Sequence, residues 1–164
     1  MMKKMMTAMM MILVAAVCCF AETHTITLIS RVEKVDAQYV IRNNETGAIG
    51  ESVVYSTDEI AKADVSTSFD VIQSRHCNGI QNTVFTVSAT ELVAVVDGRV
   101  YSTDGVSIVM DGQAFGSTVS FARQTVGYVA AGTVVESFEV IWPTSANLVD
   151  ATYQANVTLA TAAL

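Results

Sequence analysis

Apolar and polar residues alternate with a period of two through much of the second half of the chain. In residues 82–96, Phe85 and Val87 fall on one side of an extended backbone, and residues 66–74 and 133–142 show the same alternation. Successive side chains of a strand point to opposite faces, so this pattern predicts strands with one buried face. The sequence therefore predicts an all-β chain.

The clearest half-buried strand lies near the end of the chain, in residues 151–161. One face of this strand is apolar and comprises Tyr153, Ala155, Val157 and Leu159. The preceding strand, from Thr133, should end at Trp142, because Pro143 has no amide hydrogen to donate to a ladder. We expect the loop from Thr144 to Val149 to lead into the final strand.

Three Asp-Gly pairs, at Asp97-Gly98, Asp104-Gly105 and Asp111-Gly112, recur every seven residues. A calcium loop would need oxygen ligands within one loop, whereas these aspartates are separated by strand-like segments. Asp-Gly is a strong hairpin signal, so the spacing predicts a meander of short strands. Many short strands separated by turns favour a β-sandwich.

Helix signals are nearly absent. The one candidate is Ser56–Asp64, in which Ser56 could cap a helix and Glu59 could complete a capping box. This segment is either a single helical turn or a loop.

The first 21 residues have the form of a secretory signal. Lys3 and Lys4 precede an apolar run from Met9 to Phe20 that is short for a membrane span, and small residues occupy the expected cleavage positions. An uncleaved anchor and a lipoprotein are the alternatives, but the residues before Cys18 and Cys19 fit a lipidation motif poorly. We therefore predict residues 1–21 to be a cleaved signal peptide.

Cleavage would leave 7 basic and 16 acidic residues, because Lys3 and Lys4 are lost from the 9 basic residues, and the net charge would be −9. This balance argues against binding to nucleic acid, which requires a basic patch. Only Cys77 would remain, so no internal disulfide could form. About 143 residues suffice for one domain with a sizeable core.

The sequence offers little support for catalysis. The two histidines are His24 and His76, and His76 directly precedes Cys77. Neighbouring residues on a strand point to opposite faces, so this pair is poorly placed to act as nucleophile and base. No motif of a serine hydrolase, zinc protease or dithiol oxidoreductase is present. We expect no enzymatic activity, cofactor or metal.

Residues 22–32, directly after the predicted cleavage site, form another alternating segment. Ile26, Leu28 and Val32 lie on one side, together with Ser30. A charged stretch follows, so the segment has no obvious hairpin partner nearby.

Four stretches together resemble the major pilins of the alpha-class, colonization-factor fimbriae that the chaperone–usher route assembles. These are "THTITLISRVEKVD", "ESVVYSTDE", "VVDGRVYSTDGVSI" and "DATYQANVTLAT". The resemblance implies an immunoglobulin-like β-sandwich in residues 33–164 that lacks its last strand. It also implies that residues 22–32 of the next subunit complete the sandwich as a donor strand.

The resemblance implies which residues polymerise the chain. Ile26, Leu28, Ser30 and Val32 would enter a groove on the neighbouring subunit, formed beside Tyr153, Val157 and Leu159. The partners would be further copies of the chain, a periplasmic chaperone, an outer-membrane usher and, in adhesion, a host-cell receptor. The protein would be exported through the periplasm and form a fimbria on the bacterial surface.

Two other interpretations remain open at this stage. The chain could be a minor or tip adhesin that binds a host receptor, although two-domain adhesins are longer. It could also be a self-contained secreted β-sandwich that binds a small ligand and carries its first strand in cis.

Overall fold

A computed structural model describes residues 34–164, in which all the regular secondary structure is β-strand. The strands are β1 (Gln38–Asn43), β2 (Ile49–Gly50), β3 (Ser52–Thr57), β4 (Val65–Arg75), β5 (Ile80–Ala89), β6 (Val93–Val96), β7 (Arg99–Ser102), β8 (Ser107–Met110), β9 (Gln113–Phe115), β10 (Thr118–Val126), β11 (Val134–Trp142) and β12 (Tyr153–Ala163). The prediction of an all-β fold is confirmed. The predicted signal peptide and donor strand lie outside the described residues.

The strands form two antiparallel sheets. The first has the order β2-β1-β4-β11-β8-β9, and the second has the order β10-β5-β12-β6-β7, with β3 also paired to β12. The chain passes from the first sheet to the second at Gly50 and Glu51, between β2 and β3. This arrangement is consistent with a β-sandwich.

The predicted alternation gives the core its side chains. Phe85 and Val87 on β5 and Tyr153 and Val157 on β12 are fully buried, as predicted for these strands. Phe69 of β4 is fully buried as well and belongs to the same apolar cluster. Side chains from both sheets therefore form one shared core.

Trp142 anchors one end of this core. It is fully buried, its ring stacks on Tyr55 with centroids 5.0 Å apart, and its indole N–H donates to the carbonyl oxygen of Thr90 at 2.9 Å. Strand β11 ends at this residue, directly before Pro143. The predicted end of the strand is confirmed, and β11 begins at Val134, one residue later than expected.

Two of the three Asp-Gly pairs form hairpin turns. Asp97 and Gly98 have φ of 51° and 74°, and Asp111 and Gly112 have φ of 52° and 75°. Positive φ at both central residues is what a type I′ turn requires. These turns join β6 to β7 and β8 to β9.

The predicted meander is wrong at its middle turn, Asp104-Gly105. Only Gly105 of this pair has a positive φ, 149°, and the chain crosses here from β7 in one sheet to β8 in the other. Thr103 fixes the crossing: it is buried, its N–H donates to the Leu92 carbonyl oxygen, and its Oγ1 accepts from the Leu92 N–H. These hydrogen bonds fix the end of β7, and the chain then continues to the other sheet instead of forming a hairpin between β7 and β8.

The segment Ser56–Asp64 is a turn rather than a helix. The carbonyl oxygen of Glu59 accepts hydrogen bonds from the N–H groups of Lys62, at 2.9 Å, and Ala63, at 3.4 Å. The hydroxyl of Thr57, not of Ser56, accepts from the N–H of Glu59. Of the two possibilities left open by the sequence, the single turn is the one observed, and no regular helix forms.

An ionic cluster joins three strands of the first sheet. Arg42 Nη2 of β1 lies 2.5 Å from Asp70 Oδ2 of β4, and Ser137 Oγ of β11 donates to Asp70 Oδ1 at 2.7 Å. Burial alone would raise the pKa of Asp70, but the hydrogen bonds from Ser137, Arg42 and Asn44 and the charge of Arg42 outweigh burial. The pKa of Asp70 is therefore lowered.

We expect this cluster to give the fold an acid-sensitive component of stability. A lowered pKa in the folded state means that the contribution of Asp70 is complete above its unfolded value of 3.8 and is lost as the pH falls through the folded value. Unfolding in denaturant at a series of pH values below about 5 measures this loss. Asp70→Asn should flatten the curve and Ser137→Ala should flatten it less; an unchanged curve in Asp70→Asn would contradict the assignment.

Cys77 is fully buried, while His76 beside it is exposed. The backbone of Cys77 forms an isolated bridge with Val129, through hydrogen bonds of 3.0 and 3.1 Å. The adjacent His76 and Cys77 therefore differ in burial as the sequence analysis expected.

Replacing Cys77 with alanine or serine should leave the predicted polymerisation intact. Alanine loses a buried sulfur atom, at a stability cost of about 1 kcal/mol, and serine places a hydroxyl at the same buried position, which costs about 1–3 kcal/mol if it finds no hydrogen bond. The reason is that the thiol fills space and the backbone makes the bridge. Electron microscopy of assembled material and thermal unfolding measure the two effects. A folded variant that no longer assembles would indicate an intermolecular disulfide instead.

Candidate functional site: an open strand edge

The final strand, β12, is paired along the whole of one edge and only part of the other. Strands β5 and β6 cover the first edge, and β3 covers the second edge from Tyr153 to Thr158. The last bond on the second edge runs from the N–H of Leu159 to the carbonyl oxygen of Glu51, at 2.8 Å. Beyond it, no strand within residues 34–164 pairs with this edge.

The main-chain groups of Thr161 and Ala163 point to this open edge. In an antiparallel ladder, the N–H and C=O of successive residues point alternately to the two sides. The N–H of Leu164 donates to Asn82 of the β5 side at 2.9 Å, and the N–H of Leu159 donates to the β3 side. Odd-numbered residues of β12 therefore face the side of β3, which leaves two residues whose amides could pair with an added strand.

The inward face of β12 also changes at this point. Tyr153, Ala155, Val157 and Leu159 are buried on this face, whereas Thr161 and Ala163, which continue the same alternation, are exposed. Both residues are small. Within residues 34–164, no strand therefore covers the core beyond Leu159, although β12 continues.

A groove of about 460 Å³ lies beside this part of the strand. Its walls are formed by segments 34–39, 80–83 and 161–164. The first wall is held by side chains rather than by a strand partner: Gln81 Oε1 accepts from the N–H of Ala37, and Gln81 Nε2 donates to the carbonyl oxygen of Val35. Gln81 therefore keeps the chain before β1 extended along the groove.

Tyr39 is the largest side chain among the groove residues. It is 7% exposed, and its ring meets Phe85 edge to face, with centroids 4.7 Å apart. Among the described residues, the buried Tyr39 hydroxyl has no hydrogen-bond partner, and neither has Oε1 of Gln73, the residue of β4 that is paired with Tyr39. The groove is thus bordered by an aromatic residue that still has hydrogen-bonding capacity.

The structure places the predicted acceptor residues next to the groove rather than at its open edge. Tyr153 and Val157 are fully buried where β3 already pairs with β12, and Leu159, at 9% exposure, is the last covered residue. The open edge consists of the four residues at positions 161–164. The sequence did contain a signal for them, because the alternation of the last strand continues past Leu159 with small residues.

The donor residues Ile26, Leu28, Ser30 and Val32 lie outside the described residues, so the structure shows neither their conformation nor their partners. Among residues 34–164, no group of three or more His, Cys, Asp or Glu side chains could hold a metal ion. The same part of the chain contains no helix that is long and apolar enough to span a membrane. The sequence predicted no catalytic role for His76. Its ring packs on that of the exposed Tyr128, with ring centroids 6.1 Å apart.

A scan against protein-family models and a search of curated proteins both found no match to this chain. The fold class and the open edge are therefore the features on which a function can be argued.

Proposed function

We propose that the chain is a structural subunit of a surface fimbria and polymerises head to tail by donor-strand exchange. Residues 22–32 of one copy add to the open edge of β12 in the next copy. The observation that carries this proposal is the edge at Thr161 and Ala163, whose main-chain groups pair with no strand within residues 34–164 and whose side chains are exposed. An open edge of this kind is a template for strand addition.

The donor segment is longer than the open edge. The four alternating donor positions run from Ile26 to Val32, about 20–23 Å at about 3.3 Å per residue. The open edge, at residues 161–164, extends over four residues, or about 10–13 Å by the same rise. About half of the donor strand can therefore pair beside β12 without displacing β3.

Burial of the donor side chains supplies the driving force. If Ile26, Leu28 and Val32 each gain about 1.5–3 kcal/mol on burial, together they contribute about 5–9 kcal/mol before any hydrogen bonds are counted. The contact links a strand of one copy to a groove of another, so it does not close on itself. Repetition of such a contact makes a fibre.

The order of the strands supports an immunoglobulin-like sandwich with an incomplete last position. The first sheet contains β1-β4-β11-β8 in succession, and in the second sheet β12 lies beside β5. The proposed missing strand belongs on the other side of β12, where β3 pairs with only the first six residues, Tyr153 to Thr158. The added strand would complete this position.

The remaining parts of the proposal follow from the same assembly. An exposed groove needs cover before polymerisation, which is the role of a periplasmic chaperone, and an outer-membrane usher would order the exchange. The fibre would then lie on the bacterial surface and could contact a host-cell receptor in adhesion. The role is structural rather than enzymatic.

A chain that carries its own donor strand tests the proposal. Residues 22–32 are removed from the start and placed after Leu164, behind a short flexible linker. Because β12 ends beside the groove, the moved strand can fold back antiparallel to it. The expected product is a stable monomer by size-exclusion chromatography, with a higher melting temperature than the chain that lacks the segment.

The matched control is the same rearranged chain with Ile26→Asp and Leu28→Asp in the moved segment. It should lose the gain in melting temperature, since a charge would enter an apolar groove. The proposal fails if the rearranged chain aggregates or stays unfolded while the chain without any donor strand is a stable monomer.

A proline at the open edge gives an independent prediction. Thr161→Pro removes an N–H that faces the open side, so it keeps the bonds to β5 but deprives an added strand of a donor. We expect polymerisation to be lost or slowed at least tenfold, with only a modest fall in the melting temperature of the subunit. Ala162→Pro, whose N–H faces β5, should instead destabilise the fold, and Thr161→Val should behave as the natural chain.

These three variants are compared by negative-stain electron microscopy and by thermal unfolding. Normal fibres from Thr161→Pro would show that this edge accepts no strand.

A further inference from the structure

The outer face of the second sheet carries exposed apolar residues at both ends. At one end, Ile80 and Val126 lie directly opposite each other on β5 and β10, and each is 64% exposed. At the other end, Val95 and Val100 lie directly opposite each other on β6 and β7, with exposures of 68% and 69%. We call these the Val126 end and the Val100 end. Such apolar pairs at both ends of a sheet are candidate centres for contact surfaces.

The Val126 end is extended by further exposed residues. Tyr128, just beyond Val126, is 71% exposed, and its ring packs on that of His76. The hydrogen bond from Gly127 N–H to the Gly79 carbonyl oxygen keeps the two segments together past the end of the ladder. The Val126 end therefore presents aromatic and aliphatic side chains on a backbone that this hydrogen bond fixes.

The two ends also differ in charge. The loops and strands beside the Val100 end carry four exposed acidic residues and one basic residue, a net charge of −3: Glu91, Asp97, Asp104, Asp150 and Arg99. Among the described residues, the Val126 end carries Lys34 and Arg75 against Asp36, a net charge of +1, together with His76. The ends are complementary in sign.

We propose that the Val100 end of one copy docks on the Val126 end of the next. Opposite charges surround an apolar centre on each side, so this pairing buries four valine and isoleucine side chains and pairs unlike charges. Pairing of two identical ends would bring like charges together. The contact is heterologous, and its repetition runs in a line rather than closing a dimer.

This second contact is an addition to the proposed fimbrial assembly. It depends on that proposal only in assuming that copies meet end to end. It uses the outer face of the sheet, whereas strand addition uses the groove, and Ile80 is common to both regions. The two contacts can be tested separately by substitutions that leave Ile80 unchanged.

Cysteine cross-linking in the full chain tests the docking. Val100 and Val126 are both changed to cysteine, and assembled protein is mildly oxidised and run on a denaturing gel without reductant. The two positions lie at opposite ends of a sheet about 30 Å long, so a disulfide within one copy cannot form. We expect a ladder of covalent multimers that reductant collapses to monomer.

Three controls test which ends of two neighbouring copies meet. Each single variant alone should give no ladder, and a mixture of the two single variants should give dimers. Val100→Cys combined with Ala122→Cys, at an exposed position in the middle of the same face, should give no ladder. Dimers from either single variant alone would mean that identical ends meet, which would overturn the proposal.

The outcome separates the two contacts. If fibres form but the double variant stays monomeric on the gel, end-to-end docking is wrong and donor-strand exchange stands. If Ile26→Asp abolishes fibres and the ladder still forms in concentrated protein, docking stands without the donor strand. If no fibres and no ladder form under any condition, both proposals fail.

Discussion

Replacing Ile26 with aspartate should abolish polymerisation, and Leu28→Asp should do the same. In the proposed assembly these side chains enter the groove bordered by Tyr39 and the end of β12, where an unpaired carboxylate would be stripped of water. The lost burial of about 1.5–3 kcal/mol per side chain adds to that cost. Electron microscopy and size-exclusion chromatography of protein released from the cell surface measure the loss.

Aspartate at Thr25 or Thr27 is the matched control, since these residues fall on the other face of the same strand. We expect these changes to reduce assembly less, because their side chains would remain in water. Equal sensitivity of the two faces would mean that the segment does not bind as an alternating strand.

Trp142→Ala should have the largest effect on the stability of the domain itself. The side chain is fully buried, stacks on Tyr55 and donates a hydrogen bond to Thr90. Truncating a buried tryptophan costs about 3–5 kcal/mol, a large part of the 5–15 kcal/mol of a typical domain. At about 3 °C per kcal/mol, the melting temperature of the monomer with its own donor strand should fall by about 10–15 °C.

Trp142→Phe separates packing from hydrogen bonding at the same position. It keeps an aromatic ring beside Tyr55 but leaves the Thr90 carbonyl oxygen without its donor, so it should cost less than the alanine variant. A fall of only one or two degrees in Trp142→Ala would show that the core closes around the space left by the ring.

Local chemistry in the sequence was sufficient to predict several of the strands and the end of β11. The alternation from Tyr153 to Leu159 defined the buried face of β12, and Pro143 marked the end of β11 because it lacks an amide hydrogen. These features depend on a residue and its close neighbours.

The path of the chain between the two sheets depends on contacts that no local pattern specifies. Asp104-Gly105 has the same residues as the two pairs that form hairpins, yet it carries the chain to the other sheet. The deciding bonds join Thr103 to Leu92, eleven residues away. An Asp-Gly pair predicts that the chain turns but not which strand it meets next.

The predicted acceptor residues lie in the strand that carries the open edge, but outside that edge. Tyr153 and Val157 are the most strongly apolar positions, and for that reason they lie in the core of their own domain, next to β3. The open edge falls on small residues such as Thr161 and Ala163, which have little hydrophobicity to draw notice. Gln81 was missed because its role, holding Val35 and Ala37 by its side chain, arises only from the fold.

The second edge of β12 is paired with β3 over its first part and open at residues 161–164. This division affects the rate at which copies can join. An incoming strand can first pair with Thr161 and Ala163, because no hydrogen bond within the described chain has to break there. In the proposed assembly, the barrier to joining is then the stripping of water from a few amides rather than an opening of the domain. Such a subunit can stay folded while it accepts the strand of another copy.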